Sequence, residues 1–466
     1  MLEDKFYKRG LFLIFGVGII LRLVLYLQNP SLWGDEAALA INVCNKSYKE
    51  LFGGLDILQA SPVGFTIIVK FLLNLFNPIS DYWRDMLLRA VPFISGMLVL
   101  PVFYYLVKMI FKDNKKAILT ALFFFILNHC AVVYTAQFKQ YSTELLVSVI
   151  LLVVFYKILV QEKYKWKYAL VLAVTPWFSY SSFFVLASGF LCLLIKKRKE
   201  CFKLAVPLII SCIIYYYASL KSVFAVNFSC MVSCWRDCYG FMDFHHPLRF
   251  LFKYGELFAV GKLFSGIAGF VFFAVCFKYL FSQDGYIKKS MLLLPLLFTV
   301  ITSLMHKYAI QGRLILFLLP MFSIIMASLS HLYLKSAMLL IICISIFVYS
   351  PMEISYSYSR PLISYLKNNI KEDDIILLDH GYGFNEYDFY LGNDFQNKKL
   401  YFTKNICTKR YINDCKEAVA SLPAGNYYFL SSGYYVKEIT DGLCVKELNV
   451  GFKPKRTKAI YFEKRD

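Results

Sequence analysis

The chain has 466 residues, 58% of them hydrophobic and 18% aromatic, with a formal net charge of +20 from 51 Lys and Arg against 31 Asp and Glu. Soluble globular chains rarely exceed about half apolar, so the composition excludes an ordinary water-soluble domain and points to a bilayer as the solvent. The basic residues cluster in short connections between apolar runs, as the positive-inside rule describes. With no RNA-binding signature and no isolated basic tail, a nucleic-acid partner is not expected.

In chain order, apolar runs of membrane-spanning character fall at about 11–28, 87–111, 117–134, 144–161, 169–195, 204–220, 256–281, 291–305, 314–334 and 336–351. The run at 169–195 is read as two short spans, because "TPWFSYSS" (175–182) interrupts it with a proline and a polar turn. The first run has no small-residue cleavage site after it and reads as an uncleaved span. Basic connections lie at 5–9, 111–116, 162–167, 196–203 and 286–289. Placing them in the cytoplasm puts loops 29–86, 135–143, 175–182, 221–255 and 306–313 outside, with the tail from about 352. The apolar stretch 61–77 would invert this order if it crossed, so it reads as juxtamembrane or re-entrant.

From Arg360 the composition changes. "DDIILLDH" (373–380) and "NYYFLSSG" (426–433) read as buried strands, and 361–370 and 413–422 as short helices. The expected fold is a polytopic α-helical membrane domain over 1–351, with its first outer loop at 29–86. A small extracytoplasmic α/β domain follows over 352–466. Thirteen Cys are present. Cys230, Cys234 and Cys238 recur every four residues without a Cys-x-x-Cys pair or companion His, which favours a structural or disulfide role over zinc. A bridge among Cys407, Cys415 and Cys444 fits an oxidising compartment.

The polar residues that stand out all fall in expected outer loops. Asp35 and Glu36 follow the first span, Lys139, Gln140, Tyr141 and Glu144 lie in or just after 135–143, and His306, Lys307 and Arg313 lie in 306–313. Ionisable groups at a membrane boundary are costly to hold and often functional. A carboxylate there can accept a proton from a hydroxyl, and Lys and Arg can stabilise charge growing on a phosphate. Each residue has a plainer reading. Asp35 and Glu36 suit the N-terminus of a helix over "DEAALAINVC". Lys139 and Arg313 suit snorkelling anchors, and Arg89 suits a helix-end anchor. His306 suits an interfacial histidine with no partner His nearby. His245 and His246 are adjacent and point apart, against shared metal ligation.

"LWGDEAALA" resembles the first-loop motif of the GT-C glycosyltransferases, in the group of protein O-mannosyltransferases, aminoarabinose transferases and bacterial relatives. Further motifs follow in order: "SPVGFTIIVKFLLNLF", "LLRAVPFISGMLVLPVFYYLVKMIF", "NHCAVVYTAQFKQYSTELL" and "QGRLILFLLPMF". The resemblance covers about residues 1–350 and implies a GT-C fold of about 11 to 13 transmembrane helices. It implies Asp35 as catalytic base, with Glu36 placing the acceptor or helping to bind a cation. It also implies that Lys139, Arg313, Lys307 and Arg89 hold the phosphate of a polyprenyl-phosphate sugar donor, with Gln140, Tyr141 and Glu144 supporting the site. The reaction so implied is an inverting transfer to a lipid, glycan or protein hydroxyl on the outer face of a bacterial cytoplasmic membrane, among membrane lipids. Where many relatives have His-Pro-Pro, this chain has Ala60-Ser61-Pro62. No cofactor is therefore assigned, and a divalent metal ion stays open, with Glu36 and His306 as candidate ligands. The alternatives are a lipid-linked glycan transporter, for which repeat symmetry and mid-membrane charges are missing, and an O-antigen ligase or polymerase, which would carry its informative loop late in the chain.

Overall fold

The computed structural model describes residues 2–224, 238, 248–259, 261–329, 336, 338, 359–371, 373–379, 384–392, 399–402, 422, 424–431, 445–447 and 458–464. The helices in chain order are α1 (Leu2–Gln28), α2 (Gly34–Asn45), α3 (Val63–Phe76), α4 (Asp81–Phe111), α5 (Lys115–Ile126), α6 (His129–Val133), α7 (Tyr141–Leu159) and α8 (Lys167–Val174). They continue with α9 (Ser182–Lys196), α10 (Arg198–Tyr215), α11 (Arg249–Gly255), α12 (Lys262–Leu280), α13 (Tyr286–Leu304), α14 (Leu319–Ser328), α15 (Ser359–Asn369) and α16 (Phe384–Leu391). The strands are β1 (Ile375–Asp379), β2 (Lys399–Phe402), β3 (Gly425–Ser431), β4 (Val445–Glu447) and β5 (Lys458–Lys464). The chain divides into two compact units. One holds Met1–Gln28, Lys46–Phe76 and Met86–Ser350; the other holds Asn29–Asn45, Asn77–Asp85 and Pro351–Asp466.

The first unit is an apolar helical bundle. Among the described residues six helices are long and apolar enough to cross a bilayer: α1, α4, α7, α10 with its continuation to Phe224, α12 and α13. The pair Lys115–Ile126 and His129–Ala136, bent by 60°, makes a seventh if it is one span. The family resemblance implies eleven to thirteen. Three shorter apolar helices, α3, α9 and Leu316–Ser328, also lie among the described residues, and α3 falls in the stretch 61–77 expected to be juxtamembrane or re-entrant. The 14 residues of α3 rise about 21 Å, short of a core about 30 Å thick. The run expected at 256–281 starts later, at Lys262, because Gly261 takes φ 85° and ends the preceding turn in a left-handed conformation. Apart from Ser336, Met338 and Leu422, the span expected at 336–351, the helix at 413–422, the His245–His246 pair and all the singled-out cysteines except Cys238 lie outside the described residues.

α7 is the centre of the bundle. Of its apolar window 78% is buried, against 17% for α1 and for Arg198–Phe224, which keep their apolar surface for lipid. Phe103 of α4 stacks on Phe125 of α5 at 3.8 Å between ring centroids, and the Ser148 hydroxyl of α7 donates to the Phe317 carbonyl at 2.8 Å. Helices α11 and α12 touch at Gly255 and Gly269, where a Cβ on either would fall onto the main chain of the other helix. Small residues at such a crossing let backbones approach where no water is available to drive association. The basic connections carry the ion pairs: Lys115 with Asp4 at 2.6 Å, Lys197 with Glu162 at 3.4 Å, and Lys288 with Asp284 at 2.8 Å.

The break between α5 and α6 has an identifiable cause. Asn128 caps α6, its side-chain oxygen accepting the Ala131 N–H at 3.1 Å, while its amide donates to the Leu257 carbonyl at 2.9 Å. A bend frees carbonyls, and in a bilayer each needs a protein partner. Arg22 supplies it: from α1 it donates to the carbonyls of Gly18 at 2.9 Å, Ile126 at 3.0 Å and Ala131 at 3.4 Å. The side chain is fully buried.

The second unit is built on a five-stranded mixed sheet of order β2-β1-β3-β5-β4. β1 pairs in parallel with β2 and β3 through Ile376↔Lys399 and Ile376↔Tyr428, and β5 runs antiparallel to β3 and β4. Ile376 and Leu377 point to opposite faces of β1 and are both fully buried, so both faces are covered there. α15 buries Leu362, Ile363 and Leu366, and α16 packs against α2. The second unit therefore holds residues 29–45 and 77–85 of the first loop beside the C-terminal segment.

Replacing Arg22 by Met keeps the volume but leaves the Ile126 and Ala131 carbonyls without their donor. An orphaned buried group costs about 1–3 kcal/mol, so the variant should unfold several degrees earlier in detergent and expose the 126–131 bend to proteolysis. An unchanged melting temperature would show that the bend does not need this donor.

Candidate active site

In the second unit the acidic pair opens α2. Ala37 N–H donates to the Trp33 carbonyl at 2.9 Å, which makes Trp33 the N-cap. Glu36, 1% exposed, reaches back so that its Oε2 accepts the Trp33 N–H at 3.3 Å. This is the acidic half of a capping box, built without the usual Ser or Thr. Asp35 lies in the same first turn and is only half-buried. Both carboxylates sit at the positive end of the helix dipole. The helix-capping reading of the pair therefore holds for Glu36, and Asp35 is the more accessible carboxylate.

In the first unit the chain after α2 turns through a capping box. Ser47 N–H donates to Glu50 Oε2 at 2.7 Å and Glu50 N–H donates to the Ser47 hydroxyl oxygen at 3.3 Å. These bonds from Ser47 hold the Glu50 carboxyl below its ordinary range. The segment that follows, Gln59-Ala60-Ser61, is bonded residue by residue. Lys139, 4% exposed, donates from Nζ to Gln59 Oε1 at 2.7 Å. Gln140 Nε2 donates to the Ala60 carbonyl at 3.4 Å. The Tyr180 hydroxyl donates to the Ser61 carbonyl at 3.0 Å, while Tyr180 N–H is taken by Glu144 Oε1 at 3.0 Å. Two residues that the sequence singled out before α7, Lys139 and Gln140, thus converge on one irregular segment, and Glu144 reaches it through Tyr180. Lys139 is no snorkelling anchor; it is buried and bonded.

Arg313 lies over the Tyr141 ring at 5.9 Å and donates from Nε to Gln311 Oε1 at 3.1 Å. Tyr141 in turn meets Tyr134 edge-on at 5.2 Å. Beside Arg313 opens a cavity of about 350 Å³, lined among others by His129, Tyr134, Glu256 and Gln311. Glu256 closes one side of it. Its carboxylate accepts Lys253 Nζ at 3.0 Å and the Gly312 N–H at 3.3 Å. A Cβ at Gly312 would come within 3.0 Å of Glu256, so only glycine lets the loop lie this close.

The other expected residues are placed differently. Arg89 is buried on α4 at 1% exposure. His306 and Lys307 are exposed on the turn after α13, with His306 at φ 54°. Among the described residues no three His, Cys, Asp or Glu side chains gather as metal ligands. Sequence reading missed Gln59, Tyr180 and Glu256. Glu256 carried a signal, being a lone acid at the edge of an apolar run in "KYGELFAVGK"; Gln59 and Tyr180 carried none, since their partners are 80 and 119 residues away.

No protein-family model and no curated protein matches the sequence. Among solved structures, ArnT from Cupriavidus metallidurans bound to undecaprenyl phosphate is similar over 97% of both chains, with a TM-score of 0.55 at 11% identity. The Archaeoglobus fulgidus oligosaccharyltransferase tethered to an acceptor peptide with an NVT sequon is similar over 92% of this chain and 70% of its own, with a TM-score of 0.51 at 12% identity. The same enzyme complexed with Zn and sulfate matches over 81% of this chain and 61% of its own, with a TM-score of 0.50 at 12% identity. This chain is an integral membrane protein with the fold of the GT-C glycosyltransferases.

Proposed function

We propose that the protein is a membrane glycosyltransferase that moves a sugar from a polyprenyl-phosphate carrier to a hydroxyl of a lipid, glycan or protein, on the outer face of a bacterial cytoplasmic membrane. The observation that carries this reading is the division of labour at α2: Glu36 is committed to the helix cap and the neighbouring Asp35 is left partly exposed. The fold supports it, since a protein of the same fold binds undecaprenyl phosphate.

In this reading Asp35 takes the proton of the acceptor hydroxyl as that oxygen bonds to the anomeric carbon. The bond from the anomeric carbon to the phosphate oxygen breaks, its electron pair leaves with the polyprenyl phosphate, and the configuration inverts. Lys139 and Arg313 hold the phosphate and meet the charge that grows on it. Gln59 fixes the Lys139 ammonium, and Gln311 and Tyr141 fix the Arg313 fork. Glu36 supports the turn that presents the base, and Gln140, Tyr141 and Glu144 support the cation side.

Two measurements test this. Glycans and lipids of cells lacking the protein should lose one sugar unit by mass spectrometry. Complementation with Asp35→Asn should leave it missing, because a general base contributes about 10²–10⁴-fold in rate. Glu36→Gln should restore the unit, because its amide oxygen can still accept the Trp33 N–H and keep the cap. Full restoration by Asp35→Asn would remove the base from the scheme.

Binding of undecaprenyl phosphate to the purified protein separates the cations. Lys139→Ala and Arg313→Ala should each weaken it about tenfold to a hundredfold, the worth of one charge-assisted bond of about 1.5–3 kcal/mol. Lys307→Ala, at an exposed turn, should leave it within about threefold. Equal effects at all three positions would mean that the lipid is held by surface charge alone.

A further inference from the structure

The segment 29–33 between α1 and α2 has no regular structure, yet it sets where α2 and Asp35 begin. Its polar groups are bonded by residues more than three hundred positions later. Arg360 Nη2 donates to the Asn29 carbonyl at 2.7 Å, and Arg360 N–H donates to the Ser31 hydroxyl oxygen at 3.1 Å. Leu32 N–H donates to the Tyr390 hydroxyl oxygen at 2.8 Å. Arg360 and Tyr390 are themselves joined through Asp85, which is fully buried: its Oδ2 accepts Arg360 Nη1 and the Tyr390 hydroxyl, the latter at 2.5 Å. Aromatic and cationic groups pack the cluster. Arg360 lies over the Tyr82 ring at 5.1 Å, Arg84 lies over Phe389 at 4.2 Å, and Asn29 Nδ2 donates to the Tyr82 carbonyl at 2.9 Å.

We propose that Arg360, Asp85 and Tyr390 are positioning residues for Asp35: the C-terminal segment acts as a clamp that sets the start of α2 and so the placement of the base. A buried ion pair adds little net stability, because taking both charges out of water offsets their attraction. What it supplies is direction. The guanidinium, the Arg360 main-chain N–H and the phenol give one bond each to residues 29, 31 and 32, and Glu36 closes the next amide at Trp33. Every turn of chain from the clamp to Asp35 is thereby fixed. A general base must be held within hydrogen-bond reach of its proton, and a misplacement of about 1 Å costs on the order of a hundredfold. The proposal rests on Asp35 as the base. It gives residues 359–391 a part in the reaction itself, separate from any contact with the acceptor.

The test uses full-length protein carrying Tyr390→Phe, which removes only the bridging hydroxyl, and Arg360→Lys, which keeps the charge but loses the fork. Amide hydrogen exchange in segment 31–37 should speed up at least tenfold in both variants. Undecaprenyl phosphate binding should stay within twofold, and the sugar unit lost in Asp35→Asn cells should fall at least tenfold at equal amounts of membrane-inserted protein. A purely structural role would instead lower the melting temperature and the protein level together with the product. Unchanged exchange in segment 31–37 in both variants overturns the clamp, as does full product with faster exchange. If Asp35→Asn cells make the full product, the base reading falls on its own, and the exchange measurement still decides whether the clamp orders this segment.

Discussion

A bilayer offers no water to a broken backbone, so every carbonyl or amide freed inside it must find a partner in the protein. The first unit interrupts its helices where its polar chemistry lies, and each interruption is answered by a particular side chain. Arg22 takes the carbonyls of Ile126 and Ala131 at the bend between α5 and α6. The strip Gln59-Ala60-Ser61 is met in turn by Lys139, Gln140 and Tyr180. These bonds give the irregular segments defined partners within the first unit. A site built this way is organised before a ligand arrives, which reduces the ordering cost of binding.

The second unit solves a different problem, that of presenting one carboxylate from a segment with no structure of its own. Asp35 and Glu36 are chemically alike and adjacent, yet their surroundings separate them. Glu36 is spent on the Trp33 amide and buried; Asp35 keeps contact with solvent. The segment before them borrows its order from Arg360 and Tyr390 across Asp85. The last third of the chain is thus tied to the first tenth by hydrogen bonds as well as by the packing of α16 on α2.

The membrane character, the order of the long spans and the strands at 373–380 and 426–433 could be read from sequence, because apolar runs of set length and period leave a local pattern. The acidic pair, Lys139 and Arg313 were also visible, since a charge beside an apolar run is conspicuous. Apolarity alone does not tell a crossing helix from a short one such as α9, and a bend such as that at Asn128 halves a run without changing its composition. The supporting groups were hidden for another reason. Gln59, Tyr180, Asp85 and Tyr390 are ordinary residues whose meaning lies in partners 80 to 305 positions away, and no window along the chain contains both ends. Arg22 was overlooked because one charge in a long apolar run barely lowers its mean, although its cost in lipid marks it as a residue with a task.

The loop after α13 shows how restraint, and not charge alone, distinguishes one cation from another. Lys307 and Arg313 share that loop and the same sign. Lys307 is exposed on the turn, and holding its long side chain in one place for a ligand would cost much of its side-chain entropy. Arg313 has had that cost met in advance. Gln311 fixes its Nε, the Tyr141 ring lies beneath its plane, and Glu256 holds the preceding amide at Gly312, where a side chain of any size would push the loop away. A guanidinium fixed on these sides and facing a cavity of about 350 Å³ can meet a phosphate with a fork already aligned. The proposal of Arg313 as the donor-phosphate cation therefore rests on the restraint around it more than on its place in any motif.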